Sequence, residues 1–207
     1  MQLDYSHQQN WHFESGQHQS PINIDDQSVI DWQRGSAIEI DYQNQVSEAH
    51  NSGNGLEVLV NGTAILNYRK FNLLQFHVHT PSEHQLNQHT FAAEVHFVHQ
   101  ALNGTKAVIG VFFELGAPDP VIDSIMQHWS KPGQFAIKLT DFIPADPAYY
   151  HYLGSLTTPP LTENVEWYII KEPVTLSSEQ LSFLQTLMPK NNRDLQAVND
   201  RPILYRP

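Results

Sequence analysis

Histidine is the unusual residue of this chain. There are 12, against 11 lysines and arginines together, and six of them (His77, His79, His84, His89, His96 and His99) fall between positions 77 and 99. On a β-strand, side chains alternate between faces. Gln75, His77 and His79 therefore share one face, while Leu74, Phe76 and Val78 turn to the other. Glu94, His96 and Val98 share a face in the same way. If the two strands are neighbours, His96 completes a cluster of three imidazoles. Three protein nitrogens leave zinc one open position, the arrangement of catalytic rather than structural sites. Zinc held this way lowers the pKa of a bound water to ~7 from ~16, which gives a hydroxide nucleophile at neutral pH. A ligand imidazole also needs an acceptor for its second N–H. Gln75 and Glu94 each stand two residues before a candidate ligand, on its face. A His-x-His pair alone is a weak signal, and two exposed strand histidines would look the same. The apolar flanks of both segments argue against exposure.

The elements that must position these residues are mostly strands. AIEIDY (37–42), LEVLV (56–60), TAILNY (63–68), NLLQFHVHT (72–80), FAAEVHFVH (91–99), KAVIGVFFEL (106–115) and WYII (167–170) read as strands. Asn61-Gly62 and Asn103-Gly104 read as turns, the first as a hairpin. Asp119 before Pro120 predicts a helix start, and Ser177 with Gln180 predicts a capping box. Residues 1–36 and the tail look extended or irregular. The predicted fold class is mainly β (α+β): a single domain, residues 1–207, built on a large, mostly antiparallel central sheet with a few peripheral helices.

Composition narrows the function classes. The chain is 40% hydrophobic and 16% charged, enough apolar matter for a core. Its net charge of −11 is the wrong sign for a nucleic-acid partner. No cysteine is present, which removes disulfides, Cys-based zinc sites and thiol nucleophiles. No apolar run approaches a membrane span. The opening MQLDYSHQQN has no apolar leader core, so any signal peptide is expected to have been removed already.

Six motifs, in order, resemble the α-class carbonic anhydrases of the bacterial type. They are Gln19-Ser20-Pro21-Ile22-Asn23-Ile24, Gln75-Phe76-His77-Val78-His79, Ser82-Glu83-His84, Ala93-Glu94-Val95-His96-Phe97-Val98-His99, Ala107-Val108-Ile109-Gly110-Val111-Phe112 and Gly154-Ser155-Leu156-Thr157-Thr158-Pro159-Pro160-Leu161. Glu166-Trp167, Lys171-Glu172-Pro173 and Asn199-Asp200-Arg201-Pro202 extend the likeness to the C-terminus. The resemblance implies reversible hydration of carbon dioxide to bicarbonate and a proton, with one Zn(2+) per chain on His77, His79 and His96. It implies that Thr157 accepts a hydrogen bond from the hydroxide at the metal and donates its own to Glu83, since an ionised carboxylate only accepts. Gln75, Glu94 and Asn199 would support the ligands. Val98, Val108, Leu156, Thr157, Thr158 and Trp167 would line the substrate pocket. Inhibition by sulfonamides is expected as well.

Two positions depart from the family pattern. Asn54 stands where the usual proton-shuttle histidine would be, and an amide does not titrate near neutrality. His50 and His7 are the possible substitutes. Phe13 and Leu161 stand where relatives commonly carry a disulfide, so a hydrophobic contact is expected instead. A non-catalytic carbonic-anhydrase-like binding module is the alternative function, and the intact ligand set weighs against it. A metal-buffering protein would carry histidine tracts, and a zinc peptidase would carry an HExxH helix; neither is present. The resemblance further suggests a homodimer and a periplasmic or secreted location, with the cytoplasm as the alternative.

Overall fold

The computed structural model describes residues 3–11, 16–129, 131, 134–143 and 146–207. Phe13 lies outside the described residues. Fourteen strands occur among them: β1 (Asn23–Ile24), β2 (Ile30–Asp31), β3 (Glu39–Asn51), β4 (Leu56–Leu66), β5 (Arg69–His79), β6 (Gln85–Leu86), β7 (His89–Thr90), β8 (Ala93–Gln100), β9 (Lys106–Leu115), β10 (Phe135–Ala136), β11 (Tyr149–Ser155), β12 (Glu163–Ile170), β13 (Val174–Leu176) and β14 (Leu204–Arg206). Eleven form one sheet in the order β10-β3-β4-β5-β8-β9-β12-β11-β14-β2, with β13 beside β9. The β9–β12, β9–β13 and β14–β2 pairs are parallel and the rest antiparallel. β1, β6 and β7 make a small second sheet, which brings the segment after Gln19 against the segment after Glu83.

The large sheet is covered on both faces where the site lies. One face carries the main core, with Phe71, Leu73, Phe76, Val78, Val95 and Phe97 packed against Ile122 and Ile125 of helix α1 (Pro120–His128) and Leu184 of helix α2 (Ser178–Leu187). The other face carries a smaller apolar cluster around Ile22, Val108, Phe112, Tyr152 and Trp167. Both helix starts form as the sequence predicts. The Asp119 carboxylate accepts from the N–H groups of Val121 and Ile122, and Ser177 with Gln180 closes a capping box. Gln180 is buried and also bonds the Asp119 backbone, which ties the two helix starts together.

Two sequence expectations are corrected. Asn61-Gly62 is not a hairpin: it lies inside continuous β4, opposite Tyr42. A Cβ on Gly62 would sit 2.7 Å from Tyr42 Cα, so glycine is there for close backbone approach. The β4–β5 turn falls instead at Asn67 and Tyr68, both with positive φ. Leu74 does not pack with Phe76 and Val78. The β5–β8 register shifts between Leu73 and Gln75, so Leu73 takes the core face and Leu74 is exposed.

Candidate metal centre

The register of β5 on β8 decides what the histidines can do. His77 pairs directly with His96, and His79 with Glu94. The three rings converge, with centroids 4.9 Å (His77–His79), 5.3 Å (His77–His96) and 4.6 Å (His79–His96) apart. His79 and His96 are buried and His77 partly so.

Each ring has one nitrogen beside a different partner. His77 Nδ1 donates to Gln75 Oε1 at 2.9 Å. His79 Nδ1 donates to the Asn191 carbonyl at 2.5 Å. His96 Nε2 lies 2.8 Å from Glu94 Oε1, though out of line for a hydrogen bond. The nitrogens left over are His77 Nε2, His79 Nε2 and His96 Nδ1. His79 Nε2 is buried with no hydrogen-bond partner. One ligand atom from each of the three residues lies within 4.8 Å of the other two. Three converging imidazoles, two with the tautomer fixed by an outer acceptor and the third beside Glu94, make a donor set that suits zinc. Burial, aided by His79 and His96, holds His77 well below the usual imidazole range, and burial lowers His79 as well. Both rings are therefore neutral and hold lone pairs. Burial also acts to lower His96, but the Glu94 charge outweighs it and raises that ring.

Glu94 is the hub of the surrounding network. Its Oε2 accepts the backbone N–H groups of Glu83 (2.9 Å) and His84 (2.8 Å), and its Oε1 accepts His84 Nδ1–H at 2.8 Å. Burial would raise this carboxyl, yet His84 and His96 hold it well below the usual range. An ionised Glu94 only accepts, so His84 Nδ1 is the donor to it, and His84 Nε2 is hydrogen-bonded to the Tyr152 hydroxyl at 2.7 Å. The Tyr152 hydroxyl also shares a hydrogen bond with the Ser20 hydroxyl at 2.8 Å. Ser20 Oγ also receives the Ser155 N–H, and Ser155 Oγ receives the Ser20 N–H. This exchange anchors the loop that carries Thr157 and Thr158. Gln19 holds the same loop by donating to the Leu161 carbonyl, and Leu161 is buried. Gly110 makes room for the hub: a Cβ there would lie 2.9 Å from Glu94 Oε1.

Four of the residues expected to line a substrate pocket, Val98, Val108, Leu156 and Trp167, come together. Gln75, Val98, Val108 and Trp167 are successive register partners on β5, β8, β9 and β12. Leu156 and Val98 pack on the same apolar cluster as Val108 and Trp167. The Trp167 ring lies 4.9 Å from that of His96, and its Nε1 donates to the Ser155 carbonyl. Thr157 and Glu83 are both buried. Glu83 Oε1 accepts from the Arg193 N–H at 2.7 Å, while Oε2 has no hydrogen-bond partner and lies 3.4 Å from His79 Nε2. The Thr157–Glu83 hydrogen bond expected from the resemblance is thus not made in this structure, because that oxygen is turned to His79.

Asn199 does not support a ligand. It is exposed and donates to the Gln17 carbonyl. Asn191 holds that place, through its carbonyl on His79 and a side chain that donates to the Val78 and Asn54 carbonyls. Asn54 is a structural tie, its Oδ1 accepting the Leu3 N–H at 2.8 Å. His7 is exposed beside Asp4, and His50 lies on β3 between Glu48 and Glu57. Sequence reasoning gives no role to His84, Tyr152, Asn191 or Arg193. Of these, only His84 carried a signal, standing next to Glu83.

Comparison with known proteins decides the family. The model of eukaryotic-type carbonic anhydrases matches residues 6–207. The chain belongs to that family, the α-class carbonic anhydrases. A carbonic anhydrase of Pectobacterium carotovorum is 32% identical over 201 residues, 93% of this chain and 81% of the relative. Dioscorin DB3L of Dioscorea polystachya is also 32% identical, over 211 residues, 93% of this chain and 77% of its own length. Among solved structures, the α-carbonic anhydrase of Thermovibrio ammonificans with the inhibitor sulfanilamide superposes with a TM-score of 0.85 at 34% identity, covering 91% of this chain and 87% of that one. That of Photobacterium profundum gives 0.83 at 35% identity, covering 91% and 89%.

Proposed function

We propose that this carbonic anhydrase hydrates carbon dioxide reversibly to bicarbonate and a proton, with one zinc ion held by His77 Nε2, His79 Nε2 and His96 Nδ1. The observation that carries the reading is the set of outer partners, Gln75, the Asn191 carbonyl and Glu94, which leaves each ring a second nitrogen, with one ligand atom of each residue within 4.8 Å of the other two. Zinc bound there supplies Lewis acidity that ionises a water near neutral pH. The protein supplies the rest. Carbon dioxide has no net dipole, and the row Val98, Val108 and Trp167, with Leu156, offers it an apolar seat beside His96. Thr158, partly buried on the same loop, lines the mouth. Thr157 and Glu83 orient the attacking water. Glu83 is fixed by the Arg193 N–H, and its Oε2, which has no hydrogen-bond partner and lies 3.4 Å from His79 Nε2, would turn from His79 to accept the Thr157 hydroxyl once the ring is engaged, so that the Thr157 oxygen would accept from the water. The complete trio with its three partners supports an enzyme over a binding module.

Stopped-flow hydration of carbon dioxide tests this. Activity should disappear when the metal is chelated, return with stoichiometric zinc, and be blocked by sulfanilamide, the inhibitor bound in the Thermovibrio structure. Hydration that persists in metal-free protein contradicts it.

A further inference from the structure

One row of paired residues crosses the sheet from the buried imidazoles to solvent. Gly110, His96, His77, Glu57 and His50 are successive register partners on β9, β8, β5, β4 and β3. Antiparallel register partners project from the same face. Exposure rises along the row: His96 is buried, His77 partly buried, and the Glu57 and His50 side chains are 28% and 35% exposed. His50 Nε2 lies 3.5 Å from Glu57 Oε1, and His50 Nδ1 lies 3.4 Å from Glu48 Oε1 on its own strand. The ring is thus bracketed by two carboxylates at the wet end of a row whose dry end is the ligand trio. No other histidine among the described residues outside that trio lies in this row.

Hydration, as proposed above, releases one proton per turnover: carbon dioxide plus water gives bicarbonate plus a proton. That proton is produced among buried side chains and must reach bulk solvent. A relay needs a base that accepts it at the site's edge and returns it to a buffer base outside, ending unchanged. An imidazole does this by accepting on one nitrogen and releasing from the other. Asn54 is an amide whose Oδ1 accepts the Leu3 N–H while its backbone carbonyl accepts from Asn191, so this residue offers no such base. His7 pairs with Asp4 on a separate exposed 3-10 turn, off the row.

We propose that His50 is the proton relay of this enzyme and that Glu57, one strand nearer the trio, is the residue that positions its ring. The inference rests on the hydration reading, and two kinetic constants separate them. kcat/KM reports hydration alone, whereas kcat also includes proton release.

The test is stopped-flow hydration by the zinc-loaded enzyme at low buffer concentration, joined to NMR spectra of the histidine rings in metal-free protein. His50→Ala should lower kcat on the order of 10²-fold while kcat/KM holds, and added imidazole should restore kcat. His50→Gln, which keeps a polar side chain of similar length, should behave alike if the alanine variant folds poorly. Glu57→Gln should lower kcat while kcat/KM holds, with added imidazole restoring kcat, and should shift the His50 ring resonances in metal-free protein as the ring loses its fixed position. An unchanged kcat in both His50 variants overturns the relay, as does a fall in His7→Ala that His50→Ala does not reproduce. A parent enzyme whose kcat already depends steeply on buffer overturns it too. A parent with no hydration at all contradicts the proposed function instead.

Discussion

Glu94 shows at the scale of one residue how the centre is held. Its carboxylate serves two backbone N–H groups, His84 and His96 at once, so its charge is compensated from four sides. Glu94→Gln would present an NH2 group where only acceptors fit. We expect weaker zinc binding by roughly 10–100-fold, the usual effect of losing a ligand's outer partner, measured by competition with a chelator. Unchanged affinity would show that His96 is oriented by packing alone. Thr157→Ala and Glu83→Gln act on orientation instead. Each should retain zinc and lower kcat/KM on the order of 10²-fold, comparable to losing one preorganised polar contact. Parent rates in both variants would remove Thr157 and Glu83 from the mechanism.

The same centre depends, at the scale of elements, on strand register and on a loop without a crosslink. The histidine cluster proposed to hold the metal is legible in the sequence because strands alternate and because Gln75 and Glu94 recur at the same offset before His77 and His96. Leu74 escapes that logic because a register shift restores the parity of the face one residue later than alternation implies. Asn61-Gly62 misleads because glycine serves close approach as well as turns. Asn191 could not be found locally, since its carbonyl meets His79 across 112 positions of chain. Asn199 resembled it only in residue type. Gly110→Ala tests the register argument. Its Cβ would meet Ile169 Cδ1 at 2.7 Å and Glu94 Oε1 at 2.9 Å, and overpacking of this kind costs about 1–3 kcal/mol. Denaturant unfolding should show that loss, together with weaker zinc binding. The Thr157 loop relies on Gln19, Ser20 and buried Leu161, so Leu161→Ala should cost roughly 2–5 kcal/mol. A melting temperature equal to the parent's would mean the loop stands without it.

For the whole molecule, acid stability follows from a histidine the reaction does not use. His99 is buried in the main core against Tyr42, 2.7 Å from its hydroxyl, and burial pushes its pKa down to about 4 from 6.5. The unfolded chain therefore binds a proton that the folded chain refuses. Stability is full above about pH 6.5 and falls as the pH drops toward 4, by about 3 kcal/mol from this group. His99→Gln should flatten that limb of an unfolding-versus-pH curve; an identical limb would assign acid sensitivity elsewhere. The two faces of the sheet thus divide their work, His99 in the main core and the ligand trio toward the apolar cluster around Trp167. The most direct test of the central claim is zinc content measured beside carbon dioxide hydration in the parent and in His96→Ala. One zinc per chain and full activity in the parent, with both largely lost in the variant, is the expected result. Stoichiometric zinc and undiminished hydration in His96→Ala would contradict it.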